Sequence, residues 1–264
     1  MKNNTSFNRK KYLFDPSAKT PFKLSRSKLE NFMQCPRCFY LDRRLGVSQP
    51  SIPAFTLNSA VDELLKKEFD GYRDQKKAHP LMTQYGIDAI PFSHPSLLEW
   101  QENFKGVRYH HLETNIIITG AVDDIWQASS GELFVVDYKS TSTRDPIDLN
   151  SQYKQAYKRQ IEIYQWLLRR QELRVSSTGY FVFANANKDK KTFDGRLMFD
   201  LEIIAYAGDD SWVEGVVRSA HQCLMAETIP DYSSECEYCQ YYQGIEKAQE
   251  DRLTMPEKQE EFLF

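Results

Sequence analysis

Two Cys-x-x-Cys pairs, Cys35-Pro36-Arg37-Cys38 and Cys236-Glu237-Tyr238-Cys239, lie near opposite ends of the chain. No other feature restricts the fold as tightly. A four-thiolate metal site built from both pairs staples an N-terminal helix to the C-terminal segment and closes nearly the whole chain into a loop. That separation excludes a compact zinc ribbon, whose ligands are close in sequence. Other uses of these cysteines fit less well. Met1 to Lys10 is polar and has no apolar h-region, so a cytoplasmic location is expected and a disulfide framework is not. Cys223 stands alone among apolar neighbours and reads as a small core residue.

Between the pairs there is material for a substantial core. The chain is 41% hydrophobic and 13% aromatic, which excludes disorder throughout. Its longest aliphatic runs, such as Ile116-Ile117-Ile118, are far too short to span a bilayer, so no membrane partner is expected. With 34 basic and 37 acidic residues the net charge is −3. No global basic field advertises nucleic acid, and a DNA-binding surface would have to be a local patch. Arg37, Arg43 and Arg44 form one small basic group, and Lys154, Lys158 and Arg159 another. Aromatics lie among them, as on single-strand binding surfaces, although each group alone reads first as a solvated helix face.

Residues 1–20 are expected to form a loose tail, 21–245 the folded domain and 246–264 a charged tail. The spacing predicts a helix from Ser27, where Ser27 and Glu30 have capping-box spacing. A second helix carries Val61, Leu64, Leu65, Phe69 and Tyr72 at helical period. A hairpin is expected around the turn Ser129-Ser130-Gly131, with Glu132 to Lys139 as its second strand and a β-branched run at Ile116–Thr119 before it. A long helix over about 151–170 places Tyr153, Tyr157, Ile161, Tyr164 and Leu168 on one stripe. Strands follow at Gly179–Ala184 and Leu197–Ala205, then a helix over Asp209–Ala226. This order predicts a mixed α/β domain.

The most informative stretch is Gly120-Ala121-Val122-Asp123-Asp124 followed by Val135-Val136-Asp137-Tyr138-Lys139. Alternate residues of a strand share a face, so Leu133, Val135, Asp137 and Lys139 point one way. An apolar strand has no packing reason to end with an acid and a lysine on its core-facing side. Asp123, on the partner strand, is placed to bring a second carboxylate to Asp137. Two hard oxygen donors with open water positions suit magnesium or manganese, and a lysine beside them can orient a water or stabilise developing negative charge. Alone, an Asp-x-Lys is more often an exposed ion pair.

The order Gly120-x-x-Asp123, then Asp137-x-Lys139 after an apolar strand, then Gln160-x-x-x-Tyr164 on a helix resembles the PD-(D/E)XK nuclease superfamily, in its branch of RecB-like exonucleases and CRISPR-associated adaptation nucleases. Ser25-x-Ser27-Lys28-Leu29 leading into Cys35-Pro36-Arg37 is similar to that branch, as is a cysteine pair after the last helix. The resemblance covers roughly residues 22–245. It implies a restriction-endonuclease-like core, with a mixed central sheet flanked by helices and a cysteine-bound metal joining the N- and C-terminal segments. It also implies Mg2+- or Mn2+-dependent hydrolysis of DNA phosphodiesters, exonucleolytic or directed to single-stranded ends, in DNA repair, recombination or CRISPR adaptation. Asp123, Asp137 and the backbone carbonyl of Tyr138 then hold the metal, and Lys139 is the catalytic lysine. Gln160 and Tyr164 support the site and the DNA strand, although Tyr164 also belongs to the helix's apolar stripe. Asp124 competes with Asp123 for the ligand register, and the glycine spacing favours Asp123.

The branch usually places a histidine ligand on the helix before the hairpin. Here Asp62 stands at that position, and Asn58 replaces the usual glycine. Asp62 reads either as a third hard-metal ligand or as a first-turn acid favoured by the helix dipole, with near capping-box spacing from Ser59. In the resembling branch, one N-terminal and three C-terminal cysteines hold a 4Fe-4S iron-sulfur cluster. This chain has Ile245 where the third C-terminal cysteine is expected, and Cys38 is its replacement. The set Cys35, Cys38, Cys236 and Cys239 fits such a cluster or tetrahedral Zn2+. No helicase motor is present, so a helicase or another repair or adaptation protein is an expected partner. The competing reading is a catalytically weakened DNA-binding module that keeps the fold and the metal staple. Finally, Gln259-Glu260-Glu261-Phe262-Leu263-Phe264 is similar to peptides that dock on bacterial sliding clamps, with Phe262 and Phe264 as apolar anchors. Packing of both rings back on the domain is the alternative.

Overall fold

The structure is a computed structural model that describes residues 12–50, 53, 55–151 and 154–254. Tyr153, residues 1–11 of the expected N-terminal tail, and the clamp-like end Gln259–Phe264 lie outside the described residues. The chain divides into two compact units. One is made of residues 17–30 and 51–221, the other of residues 1–16, 31–50 and 222–264.

The first unit carries both sheets. Strand β1 (Phe22–Ser25) pairs in parallel with β4 (Ile116–Gly120), which pairs antiparallel with β3 (Val107–His111). The second sheet has the order β2 (Ala89–Pro91), β5 (Asp124–Ala128), β6 (Leu133–Thr141), β7 (Thr178–Ala186), β8 (Phe199–Ala207). Its β5–β6 hairpin turns through Ser129–Gly131, with Gly131 at φ +83°. β6 and β7 are parallel, which requires a crossover between them. That crossover holds α6 (Gln155–Arg169), whose residues Ile161 to Leu168 are buried without interruption. A helix apolar on one stripe only would not tolerate this. α6 packs against β3 and β4 of the first sheet and β6 of the second. Among its buried polar groups, Glu162 accepts from Tyr206 Oη at 2.5 Å and Trp212 Nε1 at 2.8 Å, and Gln165 donates to the carbonyls of Ser176 and Ser177, while Gln165 Oε1 and Trp166 Nε1 have no hydrogen-bond partner among the described residues.

Long helix α3 (Thr56–Gln75) lies on β6 and β2. It buries Leu65 and Phe69 with Trp126, Val136, Tyr138 and Val182 in one cluster. Residues 73–100, which carry no clear periodicity, form α4 (Pro80–Gln84), β2 and α5 (Leu97–Gln101). The start of α1 (Arg26–Gln34) differs from the expected cap: Ser27 lies inside the helix because Phe22–Ser25 is already held in β1.

In the second unit, Cys35 caps α2 (Pro36–Arg44) with Pro36 at the first helical position, where its missing N–H costs nothing. α8 (Glu237–Thr254) begins just after Cys236. Residues 246–253, expected within a charged tail, continue this helix with exposed side chains. α7 (Val213–Met225) precedes that segment. Among the described residues no helix is long and apolar enough to cross a membrane.

Candidate active site and thiolate centre

Four elements of the sheet-bearing unit supply the candidate active site. β6 obeys strict alternation. Val136 and Tyr138 enter the aromatic cluster on one face, so Asp137 and Lys139 point to the other. Asp137 has no exposed surface and forms an ion pair with Lys139. Neither of its oxygens has a hydrogen bond of ordinary geometry among the described residues. Burial raises the Asp137 carboxyl to about 7, against the pull of Lys139 and with the help of the Asp123 charge. Burial would depress Lys139, yet the carboxylates of Asp137 and Asp123 outweigh it and keep the ammonium protonated.

Asp123 sits in the segment that carries the chain from β4 to β5. Gln101 at the end of α5 donates to its carbonyl at 2.8 Å, and Val122 N donates to Trp100 O at 3.1 Å. The side chain accepts from the backbone N–H of Tyr138 at 3.0 Å. Gly120 is required by close approach: a Cβ there would lie 2.6 Å from Tyr164 Cε1. Gly106 is held likewise, at φ +65°, with a would-be Cβ 2.5 Å from Gly120 O. The neighbouring Asp124 turns away into the aromatic cluster. It forms an ion pair with Arg73, accepts from Tyr138 Oη at 2.8 Å and Trp126 Nε1 at 3.2 Å, and is committed to the fold. The phenol of Tyr138 therefore points away from Asp137, and its backbone lies between Asp137 and Lys139.

Asp62 lies in the second turn of α3, since the helix begins at Thr56, and the first-turn reading does not hold. Its carboxylate meets Lys66 Nζ at 2.9 Å, and the same ammonium lies 3.4 Å from Asp123 Oδ1. Burial, then the Asp123 charge, raises its proton affinity. From α6, Gln160 Nε2 donates to Tyr164 Oη at 3.2 Å. Burial raises the Tyr164 phenol, and the charges of Arg26, Asp123, Asp137 and Lys139 act on it. The ring of Tyr157 lies under Lys139 Nζ at 4.8 Å, a cation–π contact. Asp123, Asp137, Lys139 and Tyr164 thus act on one another directly, Asp62 joins them through Lys66 and Asp123, and Gln160 through Tyr164. Sequence reasoning missed Lys66 and the role of Tyr157. The i,i+4 spacing of Asp62 and Lys66, and of Tyr157 and Ile161 on the buried stripe, was the available signal.

The basic groups expected as nucleic-acid patches are largely engaged internally. Arg159 pairs bidentately with Glu30 at 2.9 and 2.6 Å, Arg43 with Asp42, and Lys158 meets Asn150 Oδ1 at 3.1 Å.

In the other unit, the Sγ atoms of Cys35, Cys38, Cys236 and Cys239 all lie within 4.8 Å of one another. The closest pairs are 3.6 Å (Cys38–Cys236), 3.6 Å (Cys38–Cys239) and 3.8 Å (Cys35–Cys239). Each Cys-x-x-Cys pair brackets the start of a helix, α2 or α8, where free N–H groups and the dipole favour thiolates. Burial opposes ionisation of Cys35, but the N–H groups of Cys38 and Ser233 hold its thiol below the ordinary value. Burial pushes Cys38 up to about 11. A bound cation would reverse that cost, since thiolates are the ligating form. Cys223 is outside the cluster, its thiol 3.8 Å from Pro36 O.

A family model of the PD-(D/E)XK nuclease superfamily matches residues 23–243. The chain belongs to that superfamily, and its mixed sheet flanked by helices is the restriction-endonuclease-like core. No curated protein matches it. Among solved structures it is similar to one described as "Crystal structure of SSO0001", at 18% identity and a TM-score of 0.36, with 84% of each chain covered.

Proposed function

We propose that the protein is a Mg2+- or Mn2+-dependent deoxyribonuclease. The observation that carries this reading is Asp137: a fully buried carboxyl whose oxygens lack hydrogen bonds of ordinary geometry, paired with a buried lysine and set beside Asp123. Burying such a group without a cation costs several kcal/mol, and a site of this kind fits a hard divalent ion. Asp123, Asp137, the Tyr138 carbonyl and Asp62 are the residues that would hold it. When bound, such an ion polarises a phosphodiester and lowers the pKa of an attacking water. Lys139 remains protonated at neutral pH and acts as a donor to the developing negative charge rather than as a base. Tyr157 and the two carboxylates fix its ammonium. Tyr164 and Gln160 hold the α6 side of the cleft against the scissile strand. We place the activity in DNA repair, recombination or CRISPR adaptation, acting on single-stranded ends or exonucleolytically, with a helicase or adaptation protein supplying processivity.

The cysteine centre suits a single tetrahedral ion. Zinc–thiolate bonds of about 2.3 Å put neighbouring sulfurs about 3.8 Å apart, as the observed 3.6–3.8 Å contacts do. A cubane cluster, with four irons between the sulfurs, holds its thiolates much farther apart. The reading is therefore zinc, with 4Fe-4S the alternative.

The deciding assay uses purified protein with end-labelled single- and double-stranded DNA in magnesium, manganese or chelator. Metal-dependent cleavage is expected. Binding of DNA without cleavage in either metal would replace the enzyme with a DNA-binding module on the same fold.

A further inference from the structure

Lys66 has no assigned role, yet it lies where the candidate site is most acidic. Its ammonium stands 2.9 Å from Asp62 and 3.4 Å from Asp123. Asp62 and Asp123 come from α3 and from the β4–β5 segment, distant in sequence, and one cation bridges both. The bridge is more than an i,i+4 pair on a helix surface: Asp62 is 35% exposed, but the Lys66 side chain is 24% exposed and that of Asp123, its partner from the β4–β5 segment, 19%. Asp137, fully buried with oxygens lacking ordinary hydrogen bonds, shares this pocket. Without the Lys66 charge the carboxylates of Asp62 and Asp123 would repel each other. Lys66 also has a way out. It sits on the rim with a flexible four-carbon stem, so its ammonium can move to water without disturbing α3.

We propose that Lys66 is a resident countercation of the Asp62–Asp123 pair, and that a divalent ion enters this site by displacing it. The inference rests on the metal-site reading above and deepens it. In the metal-free protein Lys66 bridges the two carboxylates and offsets their charge. On loading, the ammonium leaves the carboxylates for solvent, and the ion takes over their charge. The exchange makes metal affinity lower than the bare carboxylate set would give, so the site fills only where the ion is plentiful. Lys139 is not interchangeable with Lys66, because it is buried on β6 and pinned by Asp137 and Tyr157.

The test is calorimetric titration of the full chain with Mn2+ alone, comparing the parent with Lys66→Met and Lys66→Arg. Lys66→Met keeps the stem and removes the charge. It should bind Mn2+ about tenfold more tightly and melt at a lower temperature when metal-free. Lys66→Arg should stay close to the parent. Unchanged or weaker Mn2+ binding by Lys66→Met, with the parent binding normally, overturns the proposal and leaves the metal site standing. Absence of Mn2+ binding in both parent and Lys66→Met overturns both. A second measurement needs no variant. Acylation of Lys66 by an amine-directed reagent, read by peptide mass spectrometry, should rise severalfold when Mn2+ is added to the parent. Equal labelling with and without Mn2+ would also overturn the proposal.

Discussion

Lys139 carries the sharpest expectation at the residue scale. Its ammonium is buried and fixed by Asp137 and Tyr157, so in the proposed reaction it would contribute to the transition state more than to substrate binding. Lys139→Ala should lower cleavage by about 100-fold or more while DNA binding, measured by anisotropy, stays near the parent value. Equal cleavage by the two proteins would remove Lys139 from the reaction. Asp137 sets a pH dependence. Its carboxyl is raised to about 7 by burial, so the folded chain keeps a proton that the unfolded chain loses near pH 4. In the metal-free protein this group's contribution to stability therefore falls as pH rises from about 4 to about 7, and is level beyond. Metal binding needs the deprotonated form, so Mn2+ affinity should rise across the same window and plateau above it. A titration series between about pH 5 and 8 with constant affinity would contradict this. Asp137 and Lys139 were legible because strand alternation places them on one face whatever the fold. Lys66 was not, because Asp-x-x-x-Lys on a helix has the pattern of a solvated surface pair. Only the packing of the β4–β5 segment against α3 makes it a bridge.

Among the elements, α6 decides the geometry. Its Tyr164 and Leu167 lie over Gly120, where a Cβ would fall 2.6 and 3.0 Å from their atoms. Gly120→Ala should cost about 1–3 kcal/mol, read as a lower denaturant midpoint, and should reduce cleavage by displacing the Asp123 segment. A variant with parental stability would mean that the ring yields freely. Periodicity revealed α3, α6 and the β5–β6 hairpin, whose patterns are long and regular. It did not separate β4 from β5 into different sheets, because the change of sheet takes place in the short Gly120–Asp123 segment. Nor did it resolve α4, β2 and α5, each only three to five residues long, in a stretch with prolines at 80, 91 and 95. The cap expected at Ser27 lost to a long-range pairing, Ser25 with Thr119, that no local signal carries.

For the whole molecule, the four gathered cysteines lead to an expected dependence on metal. Cys38→Ala should lower the melting temperature and release the bound ion while leaving the Asp137 site chemically unaltered. Elemental analysis of the parent should show about one zinc per chain and no visible absorbance. A brown protein containing iron would favour the cluster instead. That each pair could hold a metal was readable from its spacing, and the family resemblance pointed to one shared site, which the gathered sulfurs bear out. The identity of the ion was not readable, because it depends on separations between sulfurs that only the folded helix starts of α2 and α8 define.

The same arrangement bears on synthesis. A ribosome releases the chain from its N-terminus, so Asp62, Asp123, Asp137 and Lys139 all emerge long before Cys236 and Cys239. Any fragment that stops short of Cys236 holds only two of the four clustered cysteines, Cys35 and Cys38. An occupied centre would thus report that synthesis has passed Cys239. Chains terminated earlier, which hold every acidic residue of the cleft, would lack that closure.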